Sequence, residues 1–270
     1  MNPLSIACSI VPEAKGGPFV LWDPLPVACQ KAKALGYDAI ELFAPSAEID
    51  AALLGKCLKD SGLRLAAMGT GAGAVLRKLT LTSPDAEVRR AGREFVNAVI
   101  DFAGRFGAPA ILGSMQGRWG AGVEKSTALG YLRPALEEFG ERARKAGTTF
   151  LLEPLNRYEG NVINTIGDAA EMIRSLSTRH VTILADLFHM NIEEEDLSGA
   201  LRSGGPLITH VQLADSNRRP PGHGHTDFAA VAAALGSIGY RGYLSAEALP
   251  WPDPDAAARL AIDGMRKFFG

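Results

Sequence analysis

Several features that are common in other classes of protein are scarce in this 270-residue sequence or missing from it. Only three cysteines occur, Cys8, Cys29 and Cys57, and none has a CxxC spacing, so no disulfide framework is expected. No uninterrupted apolar run reaches the length of about 18 residues that a membrane helix needs, and no secretory signal pattern is found. These absences predict a soluble cytoplasmic protein with buried, reduced thiols.

An excess of charge of one sign is also lacking. The formal net charge is −2 at pH 7, and the calculated isoelectric point is about 6.2. This balance favours neither a nucleic-acid partner nor an anionic membrane surface. No GxGxxG follows the first apolar run and no GxxxxGK[ST] occurs, so the common dinucleotide and P-loop signatures are missing as well.

The sequence does contain eight short apolar runs that alternate with amphipathic stretches. Three of these stretches, residues 25–36, 88–107 and 132–147, end in a glycine that suits a helix C-terminus. Strands that are apolar on both faces and separated by helices indicate a parallel sheet covered by helices. Eight such units predict an α/β fold, a single (β/α)8 TIM barrel, with residues 1–270 as one domain. The predicted strands are Leu4–Cys8, Ala39–Leu42, Leu63–Met68, Ala108–Leu112, Thr149–Leu152, Val181–Ala185, Leu207–Leu213 and Tyr243–Ala246.

Polar side chains occur at the ends of the last four predicted strands. Glu153, Asp186, Gln212 and Glu247 stand there in order, and the carboxyl ends of the strands form the active-site face of a (β/α)8 barrel. Three carboxylates that converge on one barrel mouth repel each other unless a cation compensates them. Because oxygen ligands suit hard cations, we expect one divalent metal ion, Mn2+ or Mg2+, with Co2+ as a third candidate.

The segment "ITHVQLADSNRRPPGHGH", residues 208–225, holds three of the five histidines. Side chains alternate along a strand, so His210 shares the face of Gln212 and lies one layer deeper in the barrel. We interpret His210 as a hydrogen-bonded core residue, with metal ligation as the alternative. His223 and His225 fall in a Gly/Pro loop and have no assigned role.

Four motifs of the second half carry a resemblance to a known family: "LEPLNRYE", "ADLFHMNIEE", "HVQLADSNRRPPGHGHTDF" and "LSAEAL". They resemble the xylose isomerase-like superfamily of metal-dependent sugar isomerases and epimerases, and within it most closely the D-tagatose 3-epimerase and related ketose 3-epimerase family. The resemblance implies that Glu153, Asp186, Gln212 and Glu247 are the metal ligands. It also implies that Glu159, His189 and Arg218 orient the substrate, and that the protein forms a dimer or tetramer.

The same resemblance implies the reaction, in which Glu153 and Glu247 are the catalytic pair. A ketose 3-epimerase moves a proton at C3 of an unphosphorylated sugar through an enediolate, and two flanking carboxylates serve its opposite faces. For apolar contact with the sugar we consider Trp22, Trp119 and Trp251, and Trp119 is the first choice.

One position departs from the pattern. Tagatose epimerases usually have histidine where this chain has Gln212, and glutamine there resembles the hydroxypyruvate isomerase branch. An aldose–ketose isomerase of that type, an inosose dehydratase-like lyase and a non-catalytic metal- or sugar-binding protein therefore stay open as alternatives.

Overall fold

Eight parallel strands form a closed barrel in the computed structural model, which describes residues 2–120 and 122–270. Each strand pairs with its neighbours in chain order, and β1 closes the ring by pairing with β8. The prediction of a (β/α)8 TIM barrel is confirmed, and the predicted strand bounds agree with the observed ones to within two residues. The strands are β1 (Leu4–Ser9), β2 (Ala39–Phe43), β3 (Arg64–Gly69), β4 (Ala110–Leu112), β5 (Phe150–Leu152), β6 (Val181–Asp186), β7 (Ile208–Leu213) and β8 (Tyr243–Ala246).

Ten α-helices lie among the described residues and surround the barrel. Side-chain oxygens cap several of their N-termini; the Asp50 carboxylate, for example, accepts from two backbone N–H groups of α2. Gly36 ends α1 in the left-handed conformation, as its position in the sequence predicts. None of these helices is both long and apolar enough to cross a membrane. The helices are α1 (Leu25–Leu35), α2 (Ala51–Ser61), α3 (Ala72–Arg77), α4 (Ala86–Gly104), α5 (Lys125–Lys145), α6 (Ile166–Arg174), α7 (Leu187–Glu193), α8 (Leu197–Gly204), α9 (Phe228–Ser237) and α10 (Pro254–Phe269).

Two apolar clusters fill the molecule. The larger one packs between the strands and the helices, and it includes the three buried free cysteines. The smaller one joins Ala67, Ile111, Leu151 and Leu184 of the consecutive strands β3 to β6, and these side chains pack inside the barrel. They lie beneath the polar side chains near the carboxyl ends of the strands, where a (β/α)8 barrel places its site.

Candidate active site

A cavity at the carboxyl-terminal face of the barrel holds most of the residues that the sequence singles out. Glu153 and Glu247 directly follow β5 and β8, while Asp186 ends β6 and pairs in register with Gln212 of β7. All four residues are buried. Glu153, Gln212 and Glu247 line this cavity together with the substrate-orienting candidates Glu159, His189 and Arg218, and the Asp186 carboxylate contacts Arg218. The structure therefore brings together seven of the eight predicted site residues.

Gly113 makes room for one of the two catalytic candidates. A β-carbon built on this glycine would lie 2.3 Å from Oε2 of Glu153, which is far inside van der Waals contact. Gly113 directly follows β4, the strand next to β5. The absence of a side chain at this position therefore allows the Glu153 carboxylate to reach its place in the cavity.

The donor atoms of the site suit a divalent cation. One ligand atom each from Glu153, Asp186 and His189 lie within 4.8 Å of one another. Gln212 Oε1 is buried and has no hydrogen-bond partner, which is unusual for a buried amide oxygen, and a bound cation would supply the missing partner. Carboxylate, amide and imidazole groups fit Mn2+, Mg2+ or Co2+. A ring nitrogen of His189, which the sequence assigns to the substrate, lies beside the same two carboxylates.

His189 has one ring nitrogen fixed by the backbone of the loop after β5. Its Nδ1 accepts from the backbone N–H of Asn156 at 3.2 Å and lies 2.7 Å from Asn156 Nδ2. Since Nδ1 accepts, the proton of the neutral ring is on Nε2, which lies 3.5 Å from both Glu153 Oε1 and Asp186 Oδ2. Burial lowers the pKa of His189, while the charge of Asp186 acts in the opposite direction. The ring therefore presents an N–H group to the cavity.

Arg218 bridges three carboxylates at the mouth of the cavity. Its Nη2 donates to Glu247 Oε2 at 2.8 Å and to Asp186 Oδ2 at 3.3 Å, and its Nη1 donates to Glu159 Oε1 at 3.1 Å. Burial alone would lower the pKa of Arg218, but these negative charges raise it, so the guanidinium stays charged. The guanidinium also lies over the Phe188 ring, 4.5 Å from its centroid.

The backbone of Arg218 is held in an unusual conformation. Its φ of 59° is in the left-handed region, which is uncommon for a residue other than glycine. The Asp215 side chain fixes this loop by accepting from the backbone N–H groups of Ser216, Gly222 and Thr226. The sequence gives no sign of this backbone conformation, because it depends on hydrogen bonds across the loop.

The two catalytic candidates share an environment that makes their carboxyl groups more basic. Burial raises the pKa of Glu153 well above its usual range, and the charges of Glu247 and Asp186 add to the effect. Burial also raises the pKa of Glu247, although Arg218 acts in the opposite direction. A bound cation would lower both pKa values. The basicity of these carboxylates would therefore depend on whether a cation is bound beside them.

Glu41 is a site residue that the sequence analysis missed. It lies in β2, is buried, and lines the cavity. Its carboxylate contacts Gln212 Nε2 at 2.5 Å and His210 Nε2 at 2.7 Å. The signal in the sequence was a single charged residue inside the otherwise apolar strand "AIELF". His210 is buried and hydrogen-bonded, as predicted, whereas His223 is half-buried and His225 exposed.

Trp119 is the one predicted site residue that the structure does not bring to the cavity. It is 40% exposed, its indole N–H donates to the backbone oxygen of Asn161, and it is not among the described residues that line the cavity. Trp22 and Trp251 are not among them either. The aromatic wall is formed instead by Phe19 and Phe43, whose ring centroids are 4.5 Å apart.

Proteins of known activity resemble this chain over most of its length. A D-psicose 3-epimerase of Agrobacterium fabrum is 30% identical over 237 residues, which cover 85% of this chain and 78% of that protein. An L-ribulose 3-epimerase of Mesorhizobium japonicum is 33% identical over 217 residues, which cover 78% of this chain and 71% of that protein. A solved structure of an L-ribulose 3-epimerase superposes with a TM-score of 0.83 at 26% identity, covering 100% of this chain and 95% of that one.

These relatives are sugar 3-epimerases, which are isomerases, so the prediction of an enzyme of the isomerase class is confirmed. The sequence model of one family, described as the xylose isomerase-like TIM barrel, matches residues 29–268. This range holds strands β2 to β8. It also includes all the residues that line the cavity except Ala7, Pro18 and Phe19. The chain therefore belongs to the xylose isomerase-like TIM barrel family.

Proposed function

We propose that this protein is a divalent-metal-dependent ketose 3-epimerase that acts on an unphosphorylated sugar. The observation that carries the proposal is the pair Glu153 and Glu247, which are buried in one cavity and extend from strands three positions apart in the ring. This spacing lets the two carboxylates approach opposite faces of a bound sugar. Binding alone would not need a base on each face, so an enzyme is favoured over a non-catalytic binding protein.

The metal ion would be held by Glu153, Asp186, Gln212 and Glu247, and we favour Mn2+ or Mg2+. When bound it supplies Lewis-acid stabilisation of the negative charge that develops on the substrate oxygen. The unpartnered Gln212 Oε1 supports this ligand set.

The proton transfer would use the two carboxylates in turn. One takes the proton from C3, and the electron pair of that C–H bond forms the C2–C3 double bond of an enediolate. The other carboxyl group gives a proton to the opposite face of C3, and the C2 carbonyl re-forms. Either residue can act first, depending on which epimer is bound, since the reverse reaction follows the same path.

The remaining polar residues would orient the sugar. Arg218 and the Nε2–H of His189 are placed to donate hydrogen bonds to substrate oxygens, and Glu159 can accept from a hydroxyl group. Arg218 is the only Arg or Lys among the described residues that line the cavity, and three carboxylates already compensate its charge. This arrangement favours an unphosphorylated substrate over a sugar phosphate.

A second candidate function is an aldose–ketose isomerase, which is favoured by Gln212 in the place of the histidine that is usual in tagatose epimerases. Such an enzyme would use the same residues but move the proton between C1 and C2. Its substrate would be a smaller hydroxycarbonyl compound, of which hydroxypyruvate is the example that the resemblance implies.

Isotope exchange separates these functions. The Mn2+-loaded protein is incubated in D2O with D-fructose, D-tagatose, L-ribulose or hydroxypyruvate, and NMR locates the incorporated deuterium. Deuterium at C3 together with a C3-epimeric product is the expected result. Exchange at C1 of a ketose, or at C3 of hydroxypyruvate with an aldehyde product, would support the isomerase instead. No exchange across the panel despite tight Mn2+ binding would exclude both.

A further inference from the structure

We infer that Glu41 is a positioning residue that holds the side-chain amide of Gln212 with its oxygen towards the metal site. The inference rests on the proposed metal-dependent function, and it concerns a contact that lies beneath the predicted ligands. Glu41 would act through Gln212 and would not itself touch the metal or the substrate.

The barrel leaves space for this contact. Glu41 is in β2 and Gln212 is in β7, and β1 and β8 lie between them in the ring. The residues that pair with Glu41 in the neighbouring strands are Ala7 and Ala67. Because both are small, the Glu41 side chain can cross the barrel interior and reach Gln212.

The chemistry of the contact decides which end of the amide faces Glu41. A carboxylate only accepts hydrogen bonds, and the amide of Gln212 can donate only through Nε2. Nε2 lies 2.5 Å from Glu41 Oε1 and 3.2 Å from Glu247 Oε1, so two carboxylates surround the amide nitrogen. Oε1 is then left as the buried atom without a partner. The flipped amide would direct its oxygen against both carboxylates, which is repulsive.

Of the two carboxylates, Glu41 is the one that can hold the amide independently of metal binding. Glu247 is itself a predicted ligand, so its oxygens are needed for the cation. Glu41 is bound on its other side by His210, whose Nε2 lies 2.7 Å from Glu41 Oε2. Both His210 and Glu41 are buried. The series His210, Glu41 and Gln212 thus extends from the inner layer of the barrel to the metal site, and it gives His210 a role.

A glutamine ligand needs such a partner more than other ligands do. The two ends of an amide are nearly equal in size and opposite in hydrogen bonding, and only the oxygen binds a hard cation. A glutamate at position 212 would have an oxygen at each end, so its orientation would not matter, but the oxygen on the Glu41 side would repel that carboxylate. This difference supplies a test that separates orientation from a general effect of negative charge.

The test measures the Mn2+ dissociation constant of the metal-free protein by isothermal titration calorimetry. The variants are Glu41→Gln, Gln212→Glu and the double variant, and Glu48→Gln on the exposed loop after β2 is the control for loss of a carboxylate elsewhere. We expect Glu41→Gln to weaken Mn2+ binding about 10- to 100-fold, because glutamine has one acceptor oxygen for the two donors, Gln212 Nε2 and His210 Nε2, that Glu41 serves. In the Gln212→Glu background the same change should leave binding unchanged or strengthen it, because it removes the repulsion between two carboxylates. Glu48→Gln should leave binding unchanged.

Equal losses from Glu41→Gln in both backgrounds would show a charge effect alone and overturn the inference. An unchanged constant in the Gln212 background would overturn it as well. Failure of the unmodified protein to bind Mn2+ would overturn the proposed function, and with it the inference. If Glu41→Gln does not fold, as judged by circular dichroism, Glu41→Asp replaces it, because it keeps the charge but withdraws the carboxylate from Gln212.

Discussion

The guanidinium of Arg218 donates a 2.8 Å hydrogen bond from Nη2 to Oε2 of Glu247. This contact joins the residue proposed to orient the substrate with one proposed to move a proton. Asp186 shares the same nitrogen at 3.3 Å. One guanidinium therefore partly compensates the negative charge of two of the three carboxylates at the strand ends.

Arg218→Met should destabilise the metal-free protein more than the metal-loaded one. Removing the partner of a buried carboxylate costs about 3–5 kcal/mol, and here Glu247 and Asp186 would lose theirs, whereas a bound cation would compensate them. Thermal unfolding with EDTA and with saturating Mn2+ measures the difference. Arg219→Met is the control, because Arg219 lies over the Trp251 ring and not in the cavity. Equal destabilisation in both conditions would count against this charge balance.

Glu247→Gln should abolish epimerisation, with a loss of turnover on the order of 10²–10⁴-fold, because an amide can neither take nor return the C3 proton. The amide keeps an oxygen for the metal, so a parallel Mn2+ titration separates loss of the base from loss of the ion. Deuterium exchange at C3 should survive only for the epimer whose hydrogen faces Glu153. Turnover close to that of the unmodified enzyme would remove Glu247 from the chemistry.

Glu153→Gln provides the converse experiment. If the two carboxylates serve opposite faces of the sugar, this variant should retain exchange only for the other epimer and should also lose epimerisation by about 10²–10⁴-fold. Deuterium NMR of each purified epimer in D2O gives the result directly. The same epimer exchanging in both variants would be inconsistent with one base on each face.

The sequence predicts the site residues that stand at strand ends and misses those whose role depends on neighbouring strands. Glu153, Asp186, Gln212 and Glu247 stand at or directly after predicted strand ends, and a closed barrel brings such positions together. Glu41 was missed because it lies within a strand of the first half, and its importance comes from the small residues Ala7 and Ala67 beside it. These neighbours are known only from the register of the strands.

Two further features depend on packing that local sequence does not encode. Trp119 follows β4, which suggested contact with the substrate, but its indole hydrogen-bonds to Asn161 outside the cavity. The left-handed backbone of Arg218 arises from hydrogen bonds to Asp215 within a loop. Both features involve contacts between loop residues, and strand and helix periodicity carries no information about them.

Asp215→Asn should destabilise the protein by about 1–3 kcal/mol at pH 7, because the amide nitrogen cannot accept the backbone hydrogen bonds that the carboxylate does. Although burial acts to raise the pKa of Asp215, the backbone N–H groups of Thr226, Ser216 and Gly222 hold it below its ordinary value. The pKa of Asp215 is therefore lower in the folded protein than in the unfolded chain, where it is about 3.9. Ionised Asp215 stabilises the fold at pH values above the unfolded-state pKa, and this stabilisation is lost as the pH falls through the folded-state pKa.

Urea unfolding of both proteins from pH 7 down to pH values near the folded-state pKa checks this prediction. The difference in the free energy of unfolding should stay constant above about pH 5 and shrink below about pH 4. Turnover should fall as well, since Asp215 holds the loop that carries Arg218. A difference that grows on acidification would contradict the assigned direction of the pKa shift.

Gly113→Ala should impair Mn2+ binding and turnover, because the added methyl group would lie 2.3 Å from Glu153 Oε2 and displace the carboxylate. We expect at least about a tenfold loss of metal affinity, similar to the loss of other groups that orient ligands. Gly130→Ala is a matched control: a β-carbon there meets nothing within 4 Å, and the position is inside α5. It should stabilise the protein by about 0.5–1 kcal/mol without changing activity. Calorimetric titration and thermal unfolding of both variants give the comparison, and full Mn2+ affinity in Gly113→Ala would show that Glu153 does not need this space.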